Sequence, residues 1–518
     1  MIRWQDDDGR VHTDTISDED LHGEVGALCK RLADCGLHIT TLAKPRSHLT
    51  RYLNDTDVED RVTLVTRAGW HDIGAAKVFV LPNQTFGEVP GETVILQGPP
   101  TTPFESNGTL KDWQEGVGSL IAGHSRAEFA VSVAFAGSLL GLLGKQGVGF
   151  HLYGQSSRGK TTTVEAAASV WGKGAIPGFV GSWRSTMNAL EAIAARHTDT
   201  LCALDELGVA EAKEAAMAVY QLAGGTGKGR LKRDSTLRPS LTWRLMMLST
   251  GELRMADKLI EGNQRARAEQ EVRLIDIRAD AGAGFGVFGH AGPDDNTKML
   301  ADALKAAART FYGTAGPEFV RRLIANGIEK STDAIKEMIN KFKEYAPPSA
   351  DGQVLRICDH FALVAAAGEL ARELGVVHWK KGAAIEAARQ CFSDWFETRG
   401  GVEAGEVQAV ISQLRLFIER HGDSRFEPTD KPSERSINNR AGWRRGEGVQ
   451  REWLIPTETW KAEVVLGHDP HFAARVLADR GMLATGNDGG LTRVMKIHGK
   501  PMRVYVVKAS ILAGPDNE

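Results

Sequence analysis

The sequence predicts an α/β fold built around a parallel sheet, on three observations. Short apolar runs alternate with helical stretches between residues 148 and 290, the pattern of strands joined by crossover helices. One run, Val148 to Tyr153 (VGFHLY), passes directly into the octapeptide Gly154 to Thr161 (GQSSRGKT), and a helix-forming segment, Thr162 to Trp171, follows. A second run, Thr200 to Glu206 (TLCALDE), ends in adjacent carboxylates.

Composition bounds the rest. The 518 residues allow three to four domains at about 150 residues each. With 42% hydrophobic and 25% charged residues, the chain is that of an ordinary globular protein, which excludes disorder over its length. A net charge of −3 excludes a histone-like cation, so nucleic-acid binding requires a local basic patch. Five cysteines with no CxxC pair argue for a reduced compartment and against a zinc site or disulfide scaffold. The start, MIRWQDDDGR, has no apolar core and does not read as a signal peptide. Phe129 to Gly144 is apolar but shorter than the roughly 20 residues of a spanning helix. It reads as a buried helix, and the expected location is cytoplasmic, away from membranes.

Taken in order, residues 1–104 read as a small α+β domain. Val25 to Leu37 has helical spacing, and Arg61 to Arg67 and Ala76 to Leu81 read as strands. Residues 105–147 form a helical linker, and 148–292 the α/β core. Residues 293–428 form a helical lid and a further helical region, with helices over Asp302 to Tyr312 and Phe361 to Leu374. Residues 429–518 read as a basic, winged-helix-like module, with an ordinary small α+β cap as the alternative. Its stretch 429–445 reads as a loop, and His471 to Arg480 as a helix. Met482-Leu483 and Arg503 to Val507 read as strands around Asn487 to Gly490. Arg475, Arg480, Arg493, Lys496, Lys500 and Arg503 give the module a basic face.

The octapeptide fits GxxxxGK[ST]. Glycines let the loop curl so that backbone N–H groups face phosphates at a helix N-terminus, where anions are favoured. Gly154, Gln155, Ser156, Ser157, Arg158, Gly159, Lys160, Thr161 and Thr162 are therefore candidate nucleotide ligands. Lys160 reaches the β- and γ-phosphates, and the Thr161 hydroxyl is placed to meet Mg²⁺. A Gly-rich turn is the bland alternative. At the mouth of the sheet, Asp205 would hold Mg²⁺ with Thr161, and Glu206 would orient the attacking water. The competing reading of the acid pair is a capped helix N-terminus. The interval from Lys160 to Asp205 leaves room for a helix, a strand and another helix. The implied cofactors are ATP and Mg²⁺, and hydrolysis by water is the reaction this acid pair serves.

Between the acidic strand and the next lies Gly224 to Arg244 (GGTGKGRLKRDSTLRPSLTWR), with six basic side chains against the single Asp234. Lys228 to Leu231 and Thr236 to Leu241 are predicted to pair as a hairpin. It would offer Lys228, Arg230, Lys232 and Arg233 to nucleic-acid phosphates. A solvated surface loop is the alternative. Trp243 to Leu248 is the next strand, after which Ser249 (or Thr250) is placed to sense the γ-phosphate. Glu271 to Ile277 is a further strand beginning near Arg273. Arg273, with Arg267 or Arg265 as alternates, can stabilise transition-state charge at a neighbouring subunit's nucleotide.

These segments, GFHLYGQSSRGKTTTVEAAASVWG, TLCALDELG, GKGRLKR, WRLMMLSTGE and QEVRLIDIRADAGAGFGVF, resemble the domain of unknown function 927 family of phage and integrative-element proteins. The resemblance covers most of the chain, including the Gly69-Trp70 region and the segment from Trp453. The core is also similar to AAA+ proteins with a hairpin before the sensor strand. Among these are the minichromosome-maintenance-like helicases of staphylococcal cassette elements, the Cch type. The resemblance implies a homo-hexameric ring that moves along single-stranded or forked DNA, with mobile-element replication proteins as further partners. It matches Lys160 and Thr161 to Walker A, Asp205 and Glu206 to Walker B, and Lys232 or Arg233 to the hairpin tip. The sensor Asn of such proteins is absent. The expected function is an ATP-dependent DNA helicase or translocase of a phage or mobile element. The alternative is an ATP-switched DNA-binding loader or assembly factor that does not unwind, and a non-hydrolysing DNA-binding factor is the rival from another class.

Overall fold

The computed structural model describes residues 2–22, 25–56, 61–97, 102–231, 237–238, 240–262, 268–291, 296–399, 405–430, 437, 439–486 and 489–512. They fall into two compact units, Met1–Ala346 with Arg356–Trp395, and Pro347–Leu355 with Phe396–Glu518.

The first unit holds a five-stranded sheet in which every pairing is parallel: β1 (Val148–Tyr153), β2 (Val180–Ser182), β3 (Leu201–Asp205), β4 (Met246–Gly251) and β5 (Leu274–Arg278). The strand order is β5-β1-β4-β3-β2. The central strands β1 and β4 are buried along nearly their whole length, which is why β1 reads as a continuous apolar run. Strand β4 starts three residues after the predicted Trp243 and runs on through Ser249 and Thr250 to Gly251. Helix α1 (Ser125–Ala136) buries 11 of its 12 residues. Phe129 on α1 meets Phe150 of β1 at 5.0 Å between ring centroids, and Phe361 closes the cluster at 5.2 Å from Phe150. Each such ring contributes roughly 1.5–3 kcal/mol of burial. The stretch Ser125–Leu143 is long and apolar enough to cross a membrane, but 83% of its most apolar window is buried inside the protein. That matches the core-helix reading.

Helix α2 (Lys160–Ala168) follows the loop after β1, and α3 (Met187–Arg196) lies between β2 and β3, so the expected helix–strand–helix interval is present. Helix α4 (Ala212–Gly224) packs Val219 and Leu222 onto Cys202 and Met247 of the sheet. Before β5 runs a short helix, α5 (Ala268–Arg273). The strand predicted over Glu271 to Ile277 therefore begins three residues later, at Leu274.

The N-terminal region carries the expected strands as Arg61–Val65 and Ala76–Leu81, and the expected helix as Val25–Asp34. It adds an antiparallel pair, Ile2–Gln5 with Val11–Asp14, and a meander of Gly69–Ile73, Ala76–Leu81 and Gln84–Phe86. Among the described residues, 296–399 are helical without strands, as their patterning implies.

The second unit contains a five-stranded sheet ordered Phe426–Pro428, Gly442–Arg445, Glu452–Pro456, Lys500–Lys508, Arg493–Ile497. Trp460 stacks on Tyr505 at 4.4 Å in its core. The helix expected at His471 to Arg480 is Pro470–Asp479. Two expectations are corrected. Gly442–Arg445 is a strand, because its buried Trp443 pairs with Leu454 across the ladder, although the local sequence reads as loop. The terminal hairpin turns at His498-Gly499 rather than at 487–490, and Leu483 makes only a single bridge, to Val507. Asn487 and Asp488 lie outside the described residues.

Candidate functional site

The loop after β1 turns through positive φ at Ser157 (60°) and Gly159 (84°). Gly159 caps the start of α2, and a Cβ there would lie 2.6 Å from Val287 Cγ2, so only glycine fits. The Val287 N–H donates to the Arg158 carbonyl at 3.0 Å, and the Ala279 N–H to the Tyr153 carbonyl at 2.8 Å. The segment after β5 thus braces the loop from one side. Gln155, Ser156 and Ser157 are exposed, Arg158 and Thr161 half-buried, and Thr162 buried. Lys160 is 8% exposed, and its Nζ donates to the Gly154 and Gln155 carbonyls at 2.8 and 2.7 Å. Burial lowers its pKa, and the nearby Glu206, Glu252 and Asp205 charges oppose that fall.

The strand order decides what faces this loop. Because β4 lies between β1 and β3, the carboxyl end of β4 separates the loop from the acid pair. Thr161 Oγ1 donates to Asp205 at 3.2 Å from α2, and Thr250 Oγ1 donates to the same carboxylate from β4. The Glu206 N–H donates to Thr250 Oγ1 at 3.1 Å. Glu206 itself is exposed and holds φ at 59°, a left-handed conformation that costs a non-glycine residue about 1–3 kcal/mol. Strain of that size persists where surrounding contacts hold it.

Ser249 and Thr250 are adjacent on a strand, so their side chains point to opposite faces. Ser249 is fully buried; its hydroxyl accepts from Trp183 Nε1 at 2.8 Å and bonds His151 Nδ1 at 2.9 Å. Burial pulls the His151 pKa down to about 4, which keeps the ring neutral. Thr250, the alternate residue at this strand end, is the one that reaches Asp205.

A cavity of about 680 Å³, which sequence reasoning missed, is lined by residues other than those of the loop. Gly123, Glu128, His290, Trp379 and Gln390 are among its lining residues. Its wall includes residues of the same 281–290 segment that braces Arg158. Arg126, 1% exposed, donates to the Arg278 and Asp280 carbonyls at 3.0 and 3.2 Å and so fixes the start of that segment. The lining residues come from three distant stretches of chain, which no local pattern joins.

The hairpin exists as a ladder: Gly227 N to Leu241 O at 2.8 Å, Trp243 N to Gly225 O at 2.9 Å, and Arg230 and Leu231 opposite Arg238 and Leu237. Lys228 is exposed. The Arg230 side chain, and Lys232 and Arg233 at the tip, lie outside the described residues, as do Arg265 and Arg267. Arg273 ends α5 at the amino end of β5. Its guanidinium lies 4.0 Å over the Tyr220 ring and donates to the Tyr220 carbonyl at 3.3 Å. Five strand residues separate that level from the loop, about 16 Å at 3.3 Å per residue. Arg273 therefore does not meet the loop of its own chain.

The family model described as "Domain of unknown function (DUF927)" matches residues 1–241, which takes in the loop and the acid pair and stops in the far arm of the hairpin. The likeness read above beyond that point, including the segment from Trp453 onward, lies outside this match. A solved structure described as "SCCmec type IV Cch - active helicase" aligns with a TM-score of 0.71 over 98% of this chain and 90% of that one, at 17% identity. The chain shares that protein's fold. No curated protein matches the sequence.

Proposed function

We propose that this chain is an ATP-dependent DNA helicase or translocase with an AAA+ type P-loop core. The observation that carries the reading is the convergence of the Thr161 and Thr250 hydroxyls on Asp205, beside Lys160. In this reading Gly154 to Thr162 cradle the phosphates through backbone N–H groups and Lys160 neutralises them. The donor set of a threonine hydroxyl and a carboxylate, all hard oxygens, fits Mg²⁺; bound there, the ion supplies charge to the β- and γ-phosphates. Glu206 orients the attacking water, and Thr250 takes the sensing role first expected of Ser249. The 680 Å³ cavity receives the nucleoside.

Arg273, or Arg267, completes the site of an adjacent copy. The distance of Arg273 from its own loop is what a residue acting in trans requires, and it supports a homo-oligomeric ring, with a hexamer as the form the sequence resemblance implies. Lys228, Arg230, Lys232 and Arg233 grip DNA phosphates, and Arg475, Arg480, Arg493, Lys496, Lys500 and Arg503 add a winged-helix-like contact. The printed name of the solved neighbour supports the helicase activity. The test is phosphate release with and without single-stranded DNA, alongside strand separation on a fork. DNA-stimulated release with unwinding is expected. Stimulated release without unwinding would favour the loader, and no release by wild type alongside equal inactivity of Glu206→Gln would overturn the reading.

A further inference from the structure

Asp199 stands two residues before β3, at the end of the sheet opposite the phosphate loop. It is fully buried, and its φ is 56°. Arg244, at the root of the basic hairpin, holds it with two bonds: Nε to Oδ1 at 3.0 Å and Nη2 to Oδ2 at 2.8 Å. The Asp199 N–H returns a bond to the Arg244 carbonyl at 2.5 Å. A third donor comes from the N-terminal meander, where the Trp70 N–H reaches Oδ2 at 3.0 Å. Arg67 lies 4.0 Å away on the same side. Gly69 closes the joint: its φ is 87°, and a Cβ there would lie 2.3 Å from Oδ2. One buried carboxylate is thus shared by three parts of the molecule that are distant in sequence. These are the start of the acidic strand, the hairpin root and the N-terminal strand Gly69–Ile73.

The joint has a direct line to the site at the other end of the sheet. Two residues after Arg244, Met246 opens β4 with its N–H on the Thr200 carbonyl at 3.1 Å, and near the other end of β4 Thr250 bonds Asp205. A buried ion pair of this kind contributes little net stability over an apolar substitute, yet breaking it is costly, so its value lies in fixing a geometry.

We propose that Asp199 is a positioning residue that fixes the root of the basic hairpin against the N-terminal meander, so that force on the hairpin is passed to β4 instead of being lost in a loose root. The mechanical part stands on the contacts alone. The consequence for DNA-stimulated turnover rests on the reading of the hairpin as the DNA grip.

The test uses the full chain and two variants. Asp199→Asn keeps shape and tolerates the left-handed backbone while removing the charge. Gly69→Ala places a methyl against the carboxylate and so disturbs the joint from its N-terminal side, leaving the Asp199 and Arg244 side chains themselves unchanged in chemistry. Hydrogen–deuterium exchange should rise at least threefold at the Gly227, Trp243 and Met246 amides in both variants, with α2 unchanged. For Gly69→Ala this means that a change in the meander loosens a hairpin more than 150 residues away. Basal ATP turnover should stay within twofold of wild type, while the ratio of turnover with and without DNA falls at least fivefold. Unchanged hairpin exchange in Gly69→Ala overturns the proposal, whatever happens to Asp199→Asn, including its failure to fold. If exchange rises but wild type shows no DNA stimulation, the joint stands and the DNA-grip reading fails.

Discussion

Two carboxylates at opposite ends of one strand show how differently the fold treats the same side chain. Asp199, before β3, is fully buried, and its oxygens take three donors, two of them from the Arg244 guanidinium. Asp205, at the carboxyl end of β3, is half-buried, and its bonds come from the hydroxyls of Thr161 and Thr250. A hydroxyl can turn away and leave an oxygen to another ligand; a clamped guanidinium cannot. Saturation by charge marks a joint, and partial satisfaction by rotatable donors marks a place for something to bind.

Replacing each carboxylate by alanine gives the largest contrast. Asp199→Ala leaves Arg244 without its buried partner and should lower unfolding free energy by about 3–5 kcal/mol in urea denaturation. Asp205→Ala should leave stability within about 0.5 kcal/mol while abolishing measurable phosphate release. Equal stability losses would erase the distinction. Glu206→Gln tests the neighbouring position: turnover should fall by about 10²–10⁴ with nucleotide affinity retained, measured by single-turnover kinetics and fluorescent nucleotide binding. If it turns over at the wild-type rate, the strained Glu206 does not orient water.

Lys160→Ala removes a cation worth about 1.5–3 kcal/mol in charge-assisted hydrogen bonds, so nucleotide affinity should drop by roughly 10- to 150-fold in titration calorimetry. The two hydroxyls of β4 separate next. Thr250→Val should lower turnover about tenfold with little loss of stability. Ser249→Ala should do the reverse, costing about 1–3 kcal/mol because the buried Trp183 N–H loses its acceptor. The opposite pattern would return the sensing role to Ser249. The smallest effect belongs to the hairpin tip: Lys232→Ala with Arg233→Ala removes about two phosphate contacts, and the salt slope of single-strand binding should fall by roughly 1.4.

Much of the site was legible because its signals are local. A loop that turns backbone N–H groups toward an anion needs glycine and lysine at fixed spacing, and an acid pair at a strand end follows directly from an apolar run. The hairpin was legible for the same reason, since its two arms are neighbours in sequence. EVRLIDI is apolar enough to predict a strand opening near Arg273, whereas tertiary packing ends a helix there. Gly442–Arg445 reads as loop in the sequence because a four-residue strand holds too little pattern to stand out from its polar neighbours.

By itself the sequence determined strands β1 and β3, the approximate places of β4 and β5, the loop that follows β1, the acid pair on β3 and the excess positive charge of the hairpin. Each depends on periodicity or spacing within some twenty residues. Only the tertiary structure decided that β4 separates β1 from β3, that Thr250 and not Ser249 meets Asp205, and that Asp199 joins Trp70 to Arg244. The physical reason is common to all three. Strand order, side-chain face and the partners of a buried charge are set by which distant segments pack together, and a lone aspartate in the sequence carries no sign of the donors that will surround it.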